Sequence, residues 1–189
     1  FIKKVQDKIK YGTDVIIDED TMEYTKGIIT FSSPIWKSNK ASVTITNGST
    51  YSMQYKIVDV NDDIDETDFT GWVTVNPKNI TLNNLKFANK IIARLYDGTN
   101  YTKYASIQIQ DTTAPTCGSW SGESTSWTSG DRTISVGCND TGGSGCKQSS
   151  YSVTYTGTTQ TATPSFTISD NAGNTAVCSK NVNVYTDKD

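Results

Sequence analysis

From residue 27 onward, short apolar runs separated by polar, turn-forming residues set the rhythm of the chain. Ile28-Ile-Thr-Phe31, Ser42-Val-Thr-Ile-Thr46, Ser52-Met-Gln-Tyr-Lys-Ile57, Trp72-Val-Thr-Val75, Ile91-Ile-Ala-Arg-Leu-Tyr96 and Ser106-Ile-Gln-Ile109 are rich in β-branched and aromatic residues, and most alternate with polar ones. A period of two puts successive side chains on opposite faces, so these runs predict half-buried strands. Asn47-Gly48 and Asp97-Gly98 bound them as hairpin turns do. The scheme continues in Thr133-Ile-Ser-Val136, Tyr151-Ser-Val-Thr-Tyr155, Ser165-Phe-Thr-Ile168 and Asn181-Val-Asn-Val-Tyr185. Many short strands at this spacing predict an all-β protein built as a sandwich.

The pattern also repeats. Trp36-Lys-Ser-Asn-Lys-Ala-Ser-Val-Thr-Ile45 is echoed by Trp127-Thr-Ser-Gly-Asp-Arg-Thr-Ile-Ser-Val136, and Tyr51-Ser-Met-Gln-Tyr55 by Tyr151-Ser-Val-Thr-Tyr155. Repetition at roughly a domain length predicts tandem β-sandwich domains, over residues 27–110 and 111–189, with a polar, proline-bearing linker at Asp111-Thr-Thr-Ala-Pro-Thr116. The copies differ in their loops. The first carries a long acidic insertion with the run Asp59 to Asp68, and the second carries extra residues around Cys138 to Cys146. Residues 1–26 have no counterpart; Phe1, Val5 and Ile9 lie four apart, which suits a helical turn or two, and Val15-Ile-Ile17 suggests a strand. The tail Tyr185-Thr-Asp-Lys-Asp189 resembles the start of another linker, so further modules are expected in a parent protein.

Composition narrows the chemistry. Histidine is absent, which removes Ser-His and Cys-His dyads and imidazole metal sites. The net charge of −3 resides on residues 111–189, and no basic patch is present to neutralise phosphates, so no nucleic-acid partner is expected. No apolar run is long enough to cross a bilayer as a helix, so no membrane insertion is expected. Cys117, Cys138, Cys146 and Cys178 all fall in the second copy, where apolar residues are few. A thin core needs staples, and the cysteine spacing does not supply zinc knuckles, so two disulfides and an oxidising, extracellular setting are expected. Four cysteines allow three connectivities, and loop entropy does not separate 117–178 with 138–146 from 117–138 with 146–178.

Asp59, Asn61, Asp63 and Asp65 alternate as the start of a calcium loop does, yet Ile64 stands where its glycine belongs and Thr70 where its glutamate belongs. A solvated loop that guards a sheet edge is the leading reading, with calcium at these four residues, or near Asp111 and Asp140, as the candidate site. Trp36 and Trp127 precede the same strand in each copy and read as packing residues. Trp72 and Trp120 are unmatched, which makes them the candidates for an exposed sugar-stacking face. No pair of carboxylates is positioned for glycosidase chemistry, and no catalytic residue is assigned.

Asp111-Thr-Thr-Ala-Pro-Thr, the Asp-x-Gly-Gly-Ser-Gly loop at Asp140 to Gly145 and the hairpin Asp170-Asn-Ala-Gly-Asn-Thr-Ala176 together resemble the bacterial immunoglobulin-like repeats of secreted and cell-surface proteins. The likeness covers the second copy closely and the first through Trp36 and the Tyr96-Asp-Gly-Thr-Asn100 hairpin. It implies two tandem immunoglobulin-like sandwiches, first strand beside last, and hence disulfides 117–178 and 138–146. It further implies a non-catalytic spacer, stalk or adhesive module without cofactors. Its partners would be neighbouring modules of the same parent chain and a host or cell-surface protein or glycan. A carbohydrate-binding module of an extracellular enzyme and a pilin-like subunit are the alternatives.

Overall fold

The computed structural model describes residues 10–11, 15–16, 28–65, 68–76, 78–98 and 101–187. Among these residues every regular element is a strand. The helical turns expected at Phe1, Val5 and Ile9 lie outside the described residues, while Lys10–Tyr11 (β1) pairs antiparallel with Val15–Ile16 (β2). The chain divides into two compact units, Phe1–Ile35 with Ala41–Gln110, and Trp36–Lys40 with Asp111–Asp189.

Among the strands before Asp111, Ile29–Phe31 (β3) and Ile35–Lys37 (β4) run along one side of Lys40–Asn47 (β5). Beyond them come Ser52–Asp59 (β6), Val73–Val75 (β7), Asn79–Leu85 (β8), Asn89–Tyr96 (β9) and Ala105–Gln108 (β10). β8 lies on the far side of β5, and a second, four-stranded sheet has the order β10-β9-β6-β7. β5 shows why alternation specifies a strand. Ala41, Val43, Ile45 and Asn47 are buried while Ser42, Thr44 and Thr46 stay partly exposed. Its turn from β4 runs through Ser38 and Asn39, both left-handed at φ 49° and 61°, as a two-residue hairpin turn requires.

β9 departs from alternation, with Ile91 to Leu95 all buried. It is a central strand, and both its faces are covered. Met53, Tyr55 and Ile57 of β6 stand beside Leu95, Ala93 and Ile91 on one face, and Gln54 and Lys56 stand beside Arg94 and Ile92 on the other.

In the second unit, Thr116–Ser121 (β11), Arg132–Asn139 (β12) and Ser150–Tyr155 (β13) form a three-stranded antiparallel meander. Against it lies one long hairpin in two pieces. Thr159–Ala162 (β14) pairs with Val182–Thr186 (β17), and Ser165–Ser169 (β15) with Thr175–Ser179 (β16). The break falls at Pro164, which cannot donate to a ladder, and at residues 180–181. Two small apolar clusters join the layers: Ile134 with Val182 and Val184, and Val136 with Ile168 and Cys178. Trp120 packs against both.

The two units do not share a strand order. The Tyr51-Ser-Met-Gln-Tyr55 run enters β6 at Ser52, a strand between β9 and β7 and apart from β5, whereas Tyr151-Ser-Val-Thr-Tyr155 lies in β13 and pairs directly with β12. The disulfide between Cys138 and Cys146 pinches the loop after β12, and the Cys138 N–H donates to the Ser149 carbonyl, so the chain turns straight back along the strand it has left.

Candidate functional site

Three loops of the second unit meet at one point. Asp111 opens the unit, Asp140 follows β12 and Asp170 follows β15, and one carboxylate oxygen from each lies within 4.8 Å of the others. All three residues are buried. Each heads one of the polar motifs read in the sequence as a linker or turn, and those motifs close around the acids. The Ser144 N–H donates to Asp111 Oδ2, the Thr113 N–H to Asp111 Oδ1 at 3.0 Å, and the Gly145 N–H to Asp140 Oδ2 at 2.8 Å. The Asn174 N–H and its Nδ2 donate to the two Asp170 oxygens, each at 2.8 Å, and Nδ2 also reaches the Asp111 carbonyl at 3.0 Å.

Glycine at 143 follows from this crowding. A Cβ there would stand 2.5 Å from Asp111 Oδ2 and 2.6 Å from Asp140 Oδ1. Gly145 adopts φ +91°, a conformation costly for any side chain, and this turn aims its N–H at Asp140. The second loop is held in turn by Asn171, whose Nδ2 donates to the Ser144 carbonyl at 3.0 Å, and by the Ala172 N–H on Ser144 Oγ at 3.1 Å.

Burial pushes the Asp140 carboxyl above its ordinary value, the charges of Asp111 and Asp170 push the same way, and the Gly145 N–H opposes them. Such a group of acids reaches balance by holding a proton or a cation. Its donors are all oxygen, which suits a hard ion such as calcium and not the softer metals that want sulfur or imidazole. Sequence reading pointed to Asp111 and Asp140 but not to Asp170. The available signal was that an aspartate heads each of the three polar motifs.

The acidic run of the first unit is organised differently. Asp59 Oδ1 accepts from the Asn61 N–H and Nδ2 at 3.0 and 3.1 Å, and Asp62 Oδ2 accepts from the Asp59 N–H at 2.9 Å. Asp68 takes the Thr70 N–H and hydroxyl, each at 2.8 Å, and these bonds hold its carboxyl below the ordinary value. The carboxylates therefore brace their own loop. Among the described residues, the acids that bring three carboxylate oxygens within 4.8 Å of one another are Asp111, Asp140 and Asp170, a group that does not include Asp59, Asp63 or Asp65.

That loop instead roofs the outer face of the four-stranded sheet. Arg94, 1% exposed, lies between the rings of Trp72 and Tyr101 at 3.8 and 3.9 Å, with Phe69 at 5.4 Å. Its Nε donates to Gln54 Oε1 at 2.9 Å, and Trp72 Nε1 donates to the Asp68 carbonyl at 3.0 Å. Trp72 thus presents one face to a guanidinium. Trp120, the other sugar-stacking candidate, packs against both core clusters of the second unit, while Trp127 is 54% exposed with Tyr185 edge-on at 5.1 Å. The expectation that matched tryptophans pack and unmatched ones are exposed is reversed in the second unit. A tryptophan just before a strand sits on a connection, whereas Trp120 lies within β11.

Both cysteine pairs are bridged, and no cysteine is free. Cys117–Cys178 joins β11 of one layer to β16 of the other, and Cys138–Cys146 closes the loop that carries Asp140 and Ser144. Two disulfides fit an oxidising environment. No helix among the described residues is long and apolar enough to cross a membrane. No family model matches the chain, and no curated protein is similar to it.

Proposed function

We propose that this chain is a non-catalytic spacer or adhesive segment of a multi-domain extracellular bacterial protein, with two tandem immunoglobulin-like modules as its body. The observation that carries this reading is the Cys117–Cys178 bridge between the layers of a unit whose apolar clusters are small. A lean sandwich clamped across its layers is suited to persist outside the cell, where chaperones and reductants are absent. The site adds to the same argument. Its three acids are engaged by backbone and amide donors that tie the first loop, the disulfide loop and the β15–β16 turn together, which serves architecture.

The test is where the segment sits and what its loss does. An antiserum against the purified chain should label intact producer cells, and an in-frame deletion of the segment should reduce their attachment while leaving secreted hydrolytic activities unchanged. Labelling only after permeabilisation, or loss of a hydrolytic activity with the deletion, overturns the proposal. A glycan array probed with the chain and its Trp72→Ala and Trp127→Ala variants distinguishes a sugar-binding module, for which an aromatic-dependent signal is required.

A further inference from the structure

The strand edges of the second unit are not equally protected. The outer edge of β17 is closed by residues 124–128: the Ser124 N–H donates to the Asn183 carbonyl, the Thr128 N–H to the Tyr185 carbonyl, and the Asp187 N–H back to the Thr128 carbonyl. β15 takes the Lys147 N–H on its Ser169 carbonyl, and β11 is irregular between Cys117 and Trp120. In the first unit, β8 carries the left-handed Asn84 at φ 59° between Lys78 and Lys86, and β7 has three residues. Bulges, lysines, short length and covering segments are the devices that stop sheet edges from pairing.

β13 has none of them. Its six residues, Ser150-Tyr-Ser-Val-Thr-Tyr155, contain no charge, proline or glycine, and they keep unbroken register with β12. Because the Cys138 N–H bonds the Ser149 carbonyl, the antiparallel alternation gives Tyr151, Val153 and Tyr155 to β12 and turns the backbone groups of Ser150, Ser152 and Thr154 outward. The side chains of these three residues are exposed, on a face where hydroxyls already meet in pairs: Thr133 with Thr154 at 2.9 Å and Ser121 with Ser135 at 2.7 Å.

We propose that β13 is a homotypic pairing edge, onto which a second copy of this chain adds its own β13 antiparallel about a two-fold axis at Ser152. This register sets Ser152 against Ser152 and Ser150 against Thr154, continues the hydroxyl pairing across the axis, and joins two three-stranded sheets into one of six. A residue on such an axis faces its own copy, so any charge there would repel itself. The strand's neutrality is what self-pairing demands, whereas a charged foreign strand would find no complement on it.

Sedimentation equilibrium of the oxidised full chain should show a mass rising with concentration from 20.6 kDa toward twice that value. Ser152→Lys should hold the single-chain mass with an unchanged far-UV spectrum, and mixing Ser152→Lys with Ser152→Glu should restore the doubled mass. Hydrogen exchange on the unsubstituted chain gives a readout that no variant's folding can spoil. The amides of Ser150, Ser152 and Thr154 should slow at least tenfold from dilute to concentrated samples. A single-chain mass at every concentration, a dimer indifferent to Ser152→Lys, or protection confined to other strands would overturn the proposal.

Discussion

Cys117 and Cys178 stand 5.7 Å apart at their Cα atoms and bind β11 to β16, one strand from each layer of the second unit. Their separation of 61 residues, against 8 for Cys138 and Cys146, means that the first bridge restrains far more of the unfolded chain. Chain-entropy reasoning puts the two at about 4 and about 2.5 kcal/mol. Replacing Cys117 and Cys178 together by alanine should therefore lower the second unit's melting temperature more than the same change at Cys138 and Cys146. Paired calorimetric scans check the order, and equal losses would contradict it.

The acidic cluster makes an opposite-signed expectation for pH. The Asp140 carboxyl titrates above its ordinary value in the folded state, so folding takes up protons between the unfolded and folded values. Its favourable contribution is complete below the unfolded value and disappears as pH rises through the folded one. In metal-free buffer near neutrality, Asp140→Asn should melt higher than the unsubstituted chain, with the gap closing toward pH 4. Melting curves across pH decide the matter; a variant that melts lower at pH 7 would show that the charge is compensated.

Adjacent glycines supply a matched pair. Gly143→Ala forces a methyl group against two carboxylates, and a loss of about 1–3 kcal/mol is expected. Gly142→Ala meets nothing within 4 Å and should change stability by less than about 0.5 kcal/mol. Chemical denaturation of both variants is the measurement, and similar values would mean that the Asp140 loop relaxes freely.

Arg94 is held flat between two rings, a geometry that lysine cannot reproduce. Arg94→Lys should cost about 2 kcal/mol, the scale of a desolvated cation–π contact, and should change the near-ultraviolet signal of Trp72. An unchanged spectrum with full stability would show that the stack contributes little.

The strand content of this chain was legible because β5, β13 and β17 alternate cleanly, and alternation determines which side chains turn inward. It does not determine the neighbour. Tyr51 and Tyr151 head the same short phrase, yet one strand sits beside β9 and β7 and the other returns to β12, a choice made by the length and bridging of the preceding loop. β9 was readable as a strand, but not that Trp72 and Phe69 would cover its outer side. That depends on how the acidic insertion folds, and carboxylates bonded to their own backbone leave little trace in a pattern of polar residues. The cluster around Asp170 was hidden for a related reason: its members are scattered in sequence, and each looked like ordinary turn chemistry.

The covalent tie near the beginning and end of the second unit also governs how the chain responds to tension. A pull applied at its termini would travel through the sulfur bridge and bypass nearly everything between residues 117 and 178. The oxidised second unit is thus almost inextensible, whereas the first unit, with no cysteine at all, is free to unravel and lengthen. A tether assembled this way would have one compliant link and one stiff link, and the redox state of its surroundings would decide whether the stiff one yields.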